Sequence, residues 1–155
     1  MKKKIKPASR TRNVSYAVRD VIVIADQAAA SGMEMTYLNI GDPNKFDYRT
    51  PDHIVEAAFR AARGNFNSYA PSSGIPEALE AIERDLADKR IPAPLYTFIG
   101  TGATEVIDIS LTSLVEEGEN VLVPCPGYPT YSAILAKLKA ESRPYYLDEE
   151  KEWQP

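Results

Sequence analysis

LYTFIGTGATEVIDISLTSLVEEGENVLVPCPGYPTY, residues Leu95 to Tyr131, reads as strand, tight glycine turn, helix, strand, proline-rich turn and the start of another helix. The first strand is the apolar and aromatic run Leu95 to Ile99, followed by Gly100-Thr101-Gly102-Ala103-Thr104, a small-residue loop whose backbone can be approached closely. Val106, Ile107, Ile109, Leu111, Leu114 and Val115 give the next segment a broad apolar helical face, and Gly118 suits a left-handed stop. Asn120 to Pro124 then reads as a buried strand. Strand, helix and strand over so short a span predict a βαβ unit, which puts the Gly-Ala-Thr turn at the carboxyl edge of a parallel sheet, where open α/β folds bind ligands.

At such a turn the unpaired N–H groups of the helix start, the positive end of its dipole and the Thr101 and Thr104 hydroxyls can cradle a phosphate. An ordinary strand-to-helix turn that binds nothing has the same composition. The turn is not a Walker loop, since no Gly-Lys-Ser/Thr follows, and it is not GxGxxG, since Glu105 stands where the third glycine belongs. A second turn, Cys125-Pro126-Gly127-Tyr128-Pro129-Thr130-Tyr131, leaves the next strand on the same predicted edge. Its prolines restrict the backbone around Tyr128, so that ring is either a pre-positioned stacking platform or a cover for the sheet edge.

Further upstream, Met35 to Ile40 reads as a short strand ending in the turn Gly41-Asp42-Pro43-Asn44, where exposed N–H groups could receive a carboxylate. Asn65 to Gly74, NFNSYAPSSG, is a polar loop with Tyr69 at its centre. With the two site turns, these pieces make four spaced motifs in one order. Together they resemble the class I and II aminotransferases, fold-type I enzymes that use pyridoxal 5'-phosphate, in the branch of many aspartate and alanine aminotransferases. The matching pieces are Gly102-Ala103-Thr104-Glu105, Pro126-Gly127-Tyr128-Pro129-Thr130-Tyr131, the Gly41-Asp42-Pro43 turn and the Tyr69-to-Gly74 spacing, and the likeness runs from about Tyr16 to the last residue.

The resemblance implies an α/β fold: the N-terminal part of a fold-type I transferase, with an incomplete, mostly parallel sheet and flanking helices. It implies cofactor contacts from Gly102, Ala103, Thr104 and Tyr128, and from Tyr69 reaching the neighbouring subunit's cofactor across a homodimer. It also implies substrate contacts from Gly41 and Tyr16, with an amino acid and a 2-oxo acid as substrates. Residues 1–13 form an N-terminal arm. Residues 14–90 belong to the small domain and the dimer or active-site mouth, and 91–155 begin the large cofactor-binding domain, with Arg90-Ile91-Pro92-Ala93-Pro94 as the boundary. In the family the Schiff-base lysine, the acid partner of the pyridine nitrogen and the carboxylate-clamping arginines lie beyond this sequence. None of its lysines, Lys2, Lys3, Lys4, Lys6, Lys45, Lys89, Lys137, Lys139 and Lys151, occupies a turn resembling the Schiff-base site. No catalytic residue is therefore carried over, and the chain alone is expected to be inactive, a fragment or truncation. Other fold-type I enzymes, such as lyases or decarboxylases, and a non-catalytic remnant acting as a dimerisation partner share these turns.

The helices follow from periodicity. Val14 to Ser31, with Val14, Ala17, Val18, Val21, Ile22 and Ala25 at helical spacing, makes one; Thr50-Pro51-Asp52-His53 starts another with a hydroxyl cap and an early proline, and it stops at Gly64. Pro76 to Lys89 is a third, and Tyr131, Ile134, Leu135 and Leu138 mark a helix before a strand at Ser142 to Leu147.

With 155 residues, 44% hydrophobic and 26% charged, the chain has the balance of a globular domain. A net charge of −4 and a pI near 5.1 argue against nucleic acid as a partner. The basic N-terminus, Lys2-Lys3-Lys4 onward, reads as a solvated arm and leads into Pro7-Ala8-Ser9 rather than a secretion signal; no apolar run suits a bilayer, so a cytoplasmic place is expected. The single cysteine, Cys125, excludes an internal disulfide and a cysteine zinc site, and His53, the one histidine, has no second ligand at helical spacing, so no metal is expected.

Overall fold

The computed structural model describes residues 5–39 and 41–155. Five helices and two strands follow in order: α1 (Ala17–Ala30), α2 (Asp52–Arg63), α3 (Pro76–Asp88), α4 (Gly102–Leu114), β1 (Asn120–Cys125), α5 (Thr130–Leu138) and β2 (Glu141–Tyr146), with short 3-10 turns at Ser9–Thr11, Pro43–Phe46 and Glu149–Lys151. They divide into two compact units, Met1–Ile40 with Thr101–Pro155 in the first and Gly41–Gly100 in the second. The units part at Gly100 and Thr101, beyond the Arg90-to-Pro94 proline run.

In the first unit β1 and β2 pair in parallel, Asn120 opposite Glu141 through Cys125 opposite Tyr146, and α5 connects them. Parallel strands need such a crossover, and apolar residues on one face of α5 supply its adhesion to the sheet. Leu135 of α5 is 0% exposed, with Val123 buried on β1 and Ile134 and Thr130 on α5, and Ala25 of α1 is buried as well. Val123 points to the covered face of β1, whereas the neighbouring Leu122 is 68% exposed.

The βαβ unit is therefore real but lies one step later in the chain than the sequence predicts. Leu95 to Ile99 is irregular, with Leu95 and Tyr96 almost fully exposed. Strand-forming residues make a strand only when a neighbour completes their hydrogen-bond ladder, and the Ile99 N–H instead donates to the Ser73 carbonyl at 2.9 Å. Met35 to Leu38 is likewise irregular; Ile40, the end of that predicted strand, lies outside the described residues. The predicted buried strand at Asn120 to Pro124 is half open, because only one of its faces is covered.

All the predicted helices form. α4 ends at Leu114 rather than continuing toward Gly118, since Val115 turns extended and the Glu119 carboxylate accepts from the Glu116 N–H at 2.8 Å. Gly118 has φ +89° in the turn that follows. At the start of α2, Pro51 flanks the first turn and no side chain caps it, so the expected Thr50 hydroxyl cap is not made.

The second unit holds α2, α3 and the loop between them. Gly74 there has φ +118°, a conformation that favours glycine, and its N–H closes a turn onto the Pro71 carbonyl at 2.9 Å. No residue of this unit is buried among those described.

Candidate functional site

In the first unit the chain enters α4 through Thr101 and Gly102, the latter at φ +77°. This left-handed residue turns the backbone so that the first helical amides face outward. The Thr101 N–H is taken by the Glu105 carboxylate, and Thr101 makes no side-chain cap. Among the described residues the N–H groups of Gly102, Ala103 and Thr104 meet no acceptor. Three unsatisfied donors at the positive end of a helix are suited to an anion.

Tyr128 stands on the turn leaving the carboxyl end of β1, where the Cys125–Pro126 bond is cis. Cys125 itself is half-buried and reduced. The Tyr128 ring is 47% exposed, and the hydroxyl of Tyr16, from the entrance to α1, donates to its phenol oxygen at 2.9 Å. The same Tyr16 hydroxyl lies 3.3 Å from Thr130 Oγ1.

The phenol of Tyr128 is lowered from 10.0 to about 8, by the Thr130 hydroxyl first, then Tyr16 and Thr104, and least by the Arg19 guanidinium, against desolvation that raises it. Donors turned toward an oxygen stabilise its charged form. Of these groups, Tyr16 is the one that makes a hydrogen bond of good geometry to the phenol. The fold thus brings four hydroxyls, those of Tyr16, Thr104, Tyr128 and Thr130, to one edge of the sheet.

A cleft of about 570 Å³ opens beside them, lined among others by Val14, Tyr16, Thr104, Thr130, Ile134 and Lys137. Lys137 is ion-paired with Asp108 of α4. Sequence motifs alone assign no role to Thr130 or Arg19. Thr130 lies within the site-turn motif, and its position at the first residue of a helix is the signal that points to it. Arg19 carries none.

Gly41 and Tyr69 lie in the second unit. Gly41 lines an apolar hollow of about 420 Å³ with Asp42, Pro43, Phe46 and Tyr48. Tyr69 is fully exposed, and its phenol makes no hydrogen bond among the described residues. His53 is exposed in the first turn of α2. No group of three or more His, Cys, Asp or Glu suited to a metal occurs among the described residues, and no helix there is long and apolar enough to cross a membrane.

The sequence pattern described as aminotransferase class I and II matches residues 34–155. A probable aspartate aminotransferase of Methanocaldococcus jannaschii is 32% identical over 145 residues, covering 92% of this chain and 36% of that protein. The glutamate-pyruvate aminotransferase AlaA of Escherichia coli K12 is 30% identical over 160 residues, covering 97% of this chain and 38% of AlaA. Among solved structures, an alanine aminotransferase from Pyrococcus furiosus superposes with a TM-score of 0.87 at 33% identity, over 97% of this chain and 39% of that one. The chain therefore spans well under half the length of the relatives it matches.

Proposed function

The chain belongs to the class I and II aminotransferases and carries part of their fold-type I α/β fold, and on that premise we propose that it is the N-terminal portion of a pyridoxal-phosphate-dependent enzyme moving an amino group between an amino acid and a 2-oxo acid. The observation that carries the proposal is the cleft in which Thr104, in the first turn of α4, stands with Tyr16, whose hydroxyl donates to Tyr128 at the end of β1. It sets an anion-ready helix start beside a half-exposed aromatic ring.

The residues present suit the cofactor. Its phosphate would be held by the amides of Gly102, Ala103 and Thr104, which meet no other acceptor among the described residues, and by the Thr104 hydroxyl. Its ring would lie against Tyr128. When bound, the cofactor supplies an electron-withdrawing ring that makes the α-proton of an amino acid removable. Around it this chain binds and orients: Gly41 offers its backbone to the substrate carboxylate, and Tyr16 shapes the mouth of the site. Tyr69, whose phenol is exposed, reaches the neighbouring subunit's cofactor in a homodimer and donates to a phosphate oxygen without adding a full charge. The cytoplasm is the compartment in which we place it.

These 155 residues alone are inactive in this reading, because the chemistry needs a lysine amine able to attack the cofactor aldehyde and then carry a proton. Lys45, Lys89, Lys137, Lys139 and Lys151 are each engaged with a carboxylate. Incubation with pyridoxal 5'-phosphate followed by borohydride should leave no specific lysine adduct by mass spectrometry. A stoichiometric adduct at one lysine, with transaminase turnover, would overturn this.

A further inference from the structure

A ring that stacks on a flat ligand is useful only if its own plane is fixed. Tyr128 is on an irregular turn, half in solvent, and its backbone alone does not set its side-chain torsions. Two other rings stand against it. Tyr16 meets it at a centroid distance of 6.4 Å with the planes 81° apart. Tyr131, in the first turn of α5, meets it at 6.4 Å with the planes 89° apart. Both are edge-on contacts, the arrangement that aromatic quadrupoles favour.

The two contacts differ in what anchors them. Tyr16 is tied by its hydroxyl, to Tyr128 and Thr130. Tyr131 is held by its helix: it is part-buried on α5, which packs against α4 and β1, and it borders a cleft of about 280 Å³ with Val106, Leu111, Val123 and the fully buried Leu135. Tyr131 therefore joins the packing of α5 to an exposed ring on the site turn. Its own hydroxyl makes no hydrogen bond among the described residues, so the ring is what this position contributes.

We propose that Tyr131 is a positioning residue, which by its edge-on contact fixes the plane of the Tyr128 ring and so its face toward the cofactor. This rests on the reading of Tyr128 as the cofactor's stacking partner. Tyr16 supplies the second hold, through its hydroxyl. Tyr131 touches neither phosphate nor substrate; it transmits the rigidity of the α4, β1 and α5 packing to the one ring that does the stacking.

The test uses the full chain and pyridoxine 5'-phosphate, which has the ring and phosphate but no aldehyde to react with lysines. Tyr131→Met keeps an adaptable apolar side chain in the cleft while removing the ring edge; Tyr131→Phe keeps the edge. Y131M should bind the probe about two- to tenfold more weakly, the range one edge-on pair is worth, and Y131F within about twofold of the unaltered chain. In Y131M the early tyrosinate step of Tyr128 should also move toward the ordinary range, as the loosened ring leaves its hydroxyl partners, and Y131F should restore it. Unchanged binding and titration in Y131M overturn the proposal. So does equal weakening in Y131M and Y131F with no movement of the titration, which would mark a packing role only. Tyr128→Leu separates the two readings: if it leaves probe binding intact, stacking on Tyr128 fails, and the titration alone decides the role of Tyr131. If far-ultraviolet circular dichroism shows Y131M unfolded, ring flipping of Tyr128 in the unaltered chain decides. Distinct resonances for its two edges support the clamp, and one averaged line overturns it.

Discussion

The βαβ part of the first unit and the helical second unit solve the burial problem differently. Around β1, α5 and β2, side chains close over Leu135 until it is 0% exposed, and the hydroxyl of Thr130 is buried with a partner within reach. In the second unit α2 is as clearly amphipathic by sequence, yet Ile54, Val55 and Phe59 are all about half exposed. An apolar stripe specifies that something should cover it, and it does not specify what. The first unit carries its own cover because α5 is joined to both strands by short connections. The second displays surfaces whose partners are not among the described residues of its own unit.

The contrast can be broken most directly at its most buried point. Leu135→Ala should destabilise the chain by roughly 2–5 kcal/mol, read from the urea midpoint, because the surrounding helix and strands relax only partly into the space. In the second unit the largest effect should come from backbone strain rather than lost packing. Gly74→Ala forces a Cβ onto a residue at φ +118°, 2.7 Å from the Ile99 side chain, and should cost about 1–3 kcal/mol against the order of that unit. Amide exchange in α2 and α3 would show it. Phe59→Ala should cost less than about 1 kcal/mol, since its ring is 53% exposed and the Arg63 guanidinium lies over it at 4.9 Å. A Phe59 effect equal to that of Leu135 would erase the difference between the units.

One of the nine tyrosines should form tyrosinate near pH 8, and Tyr128→Phe should remove that step. The folded value lies below the unfolded one, so ionisation of Tyr128 favours the fold. That contribution is full above about pH 10, declines as pH falls from 10 to 8, and is gone below.

How far the sequence shows all this depends on how local each signal is. α1, α2, α3, α4 and α5 were readable because a helix makes its hydrogen bonds within itself, and its apolar spacing is written over a few turns. Leu95 to Ile99 has strand composition and no strand, because its ladder partner is a distant segment that local composition cannot name. Gly118 suits a helix stop by composition, but the helix ends at Leu114, where Val115 turns extended and Glu119 accepts from the Glu116 N–H, a contact that composition does not show. The two site turns were legible as motifs, with Gly102, Thr104 and Tyr128 at their centres. The hydrogen bond from Tyr16 to Tyr128 spans 112 positions, and nothing local to either residue announces it. Tyr16 was read as a substrate contact by resemblance. The structure adds that its hydroxyl is engaged with Tyr128 and Thr130, the kind of fact only tertiary packing supplies.

The central claim is that the first turn of α4 and the ring of Tyr128 form a single site for a phosphorylated heterocycle. Comparing the equilibrium binding of pyridoxine 5'-phosphate and pyridoxine to the unaltered chain tests it most directly. The account predicts at least about tenfold tighter binding of the phosphorylated form, the scale of a charge-assisted hydrogen bond, and a loss of affinity for both forms in Tyr128→Leu. Equal affinity for the two forms, unaffected by that substitution, would contradict it.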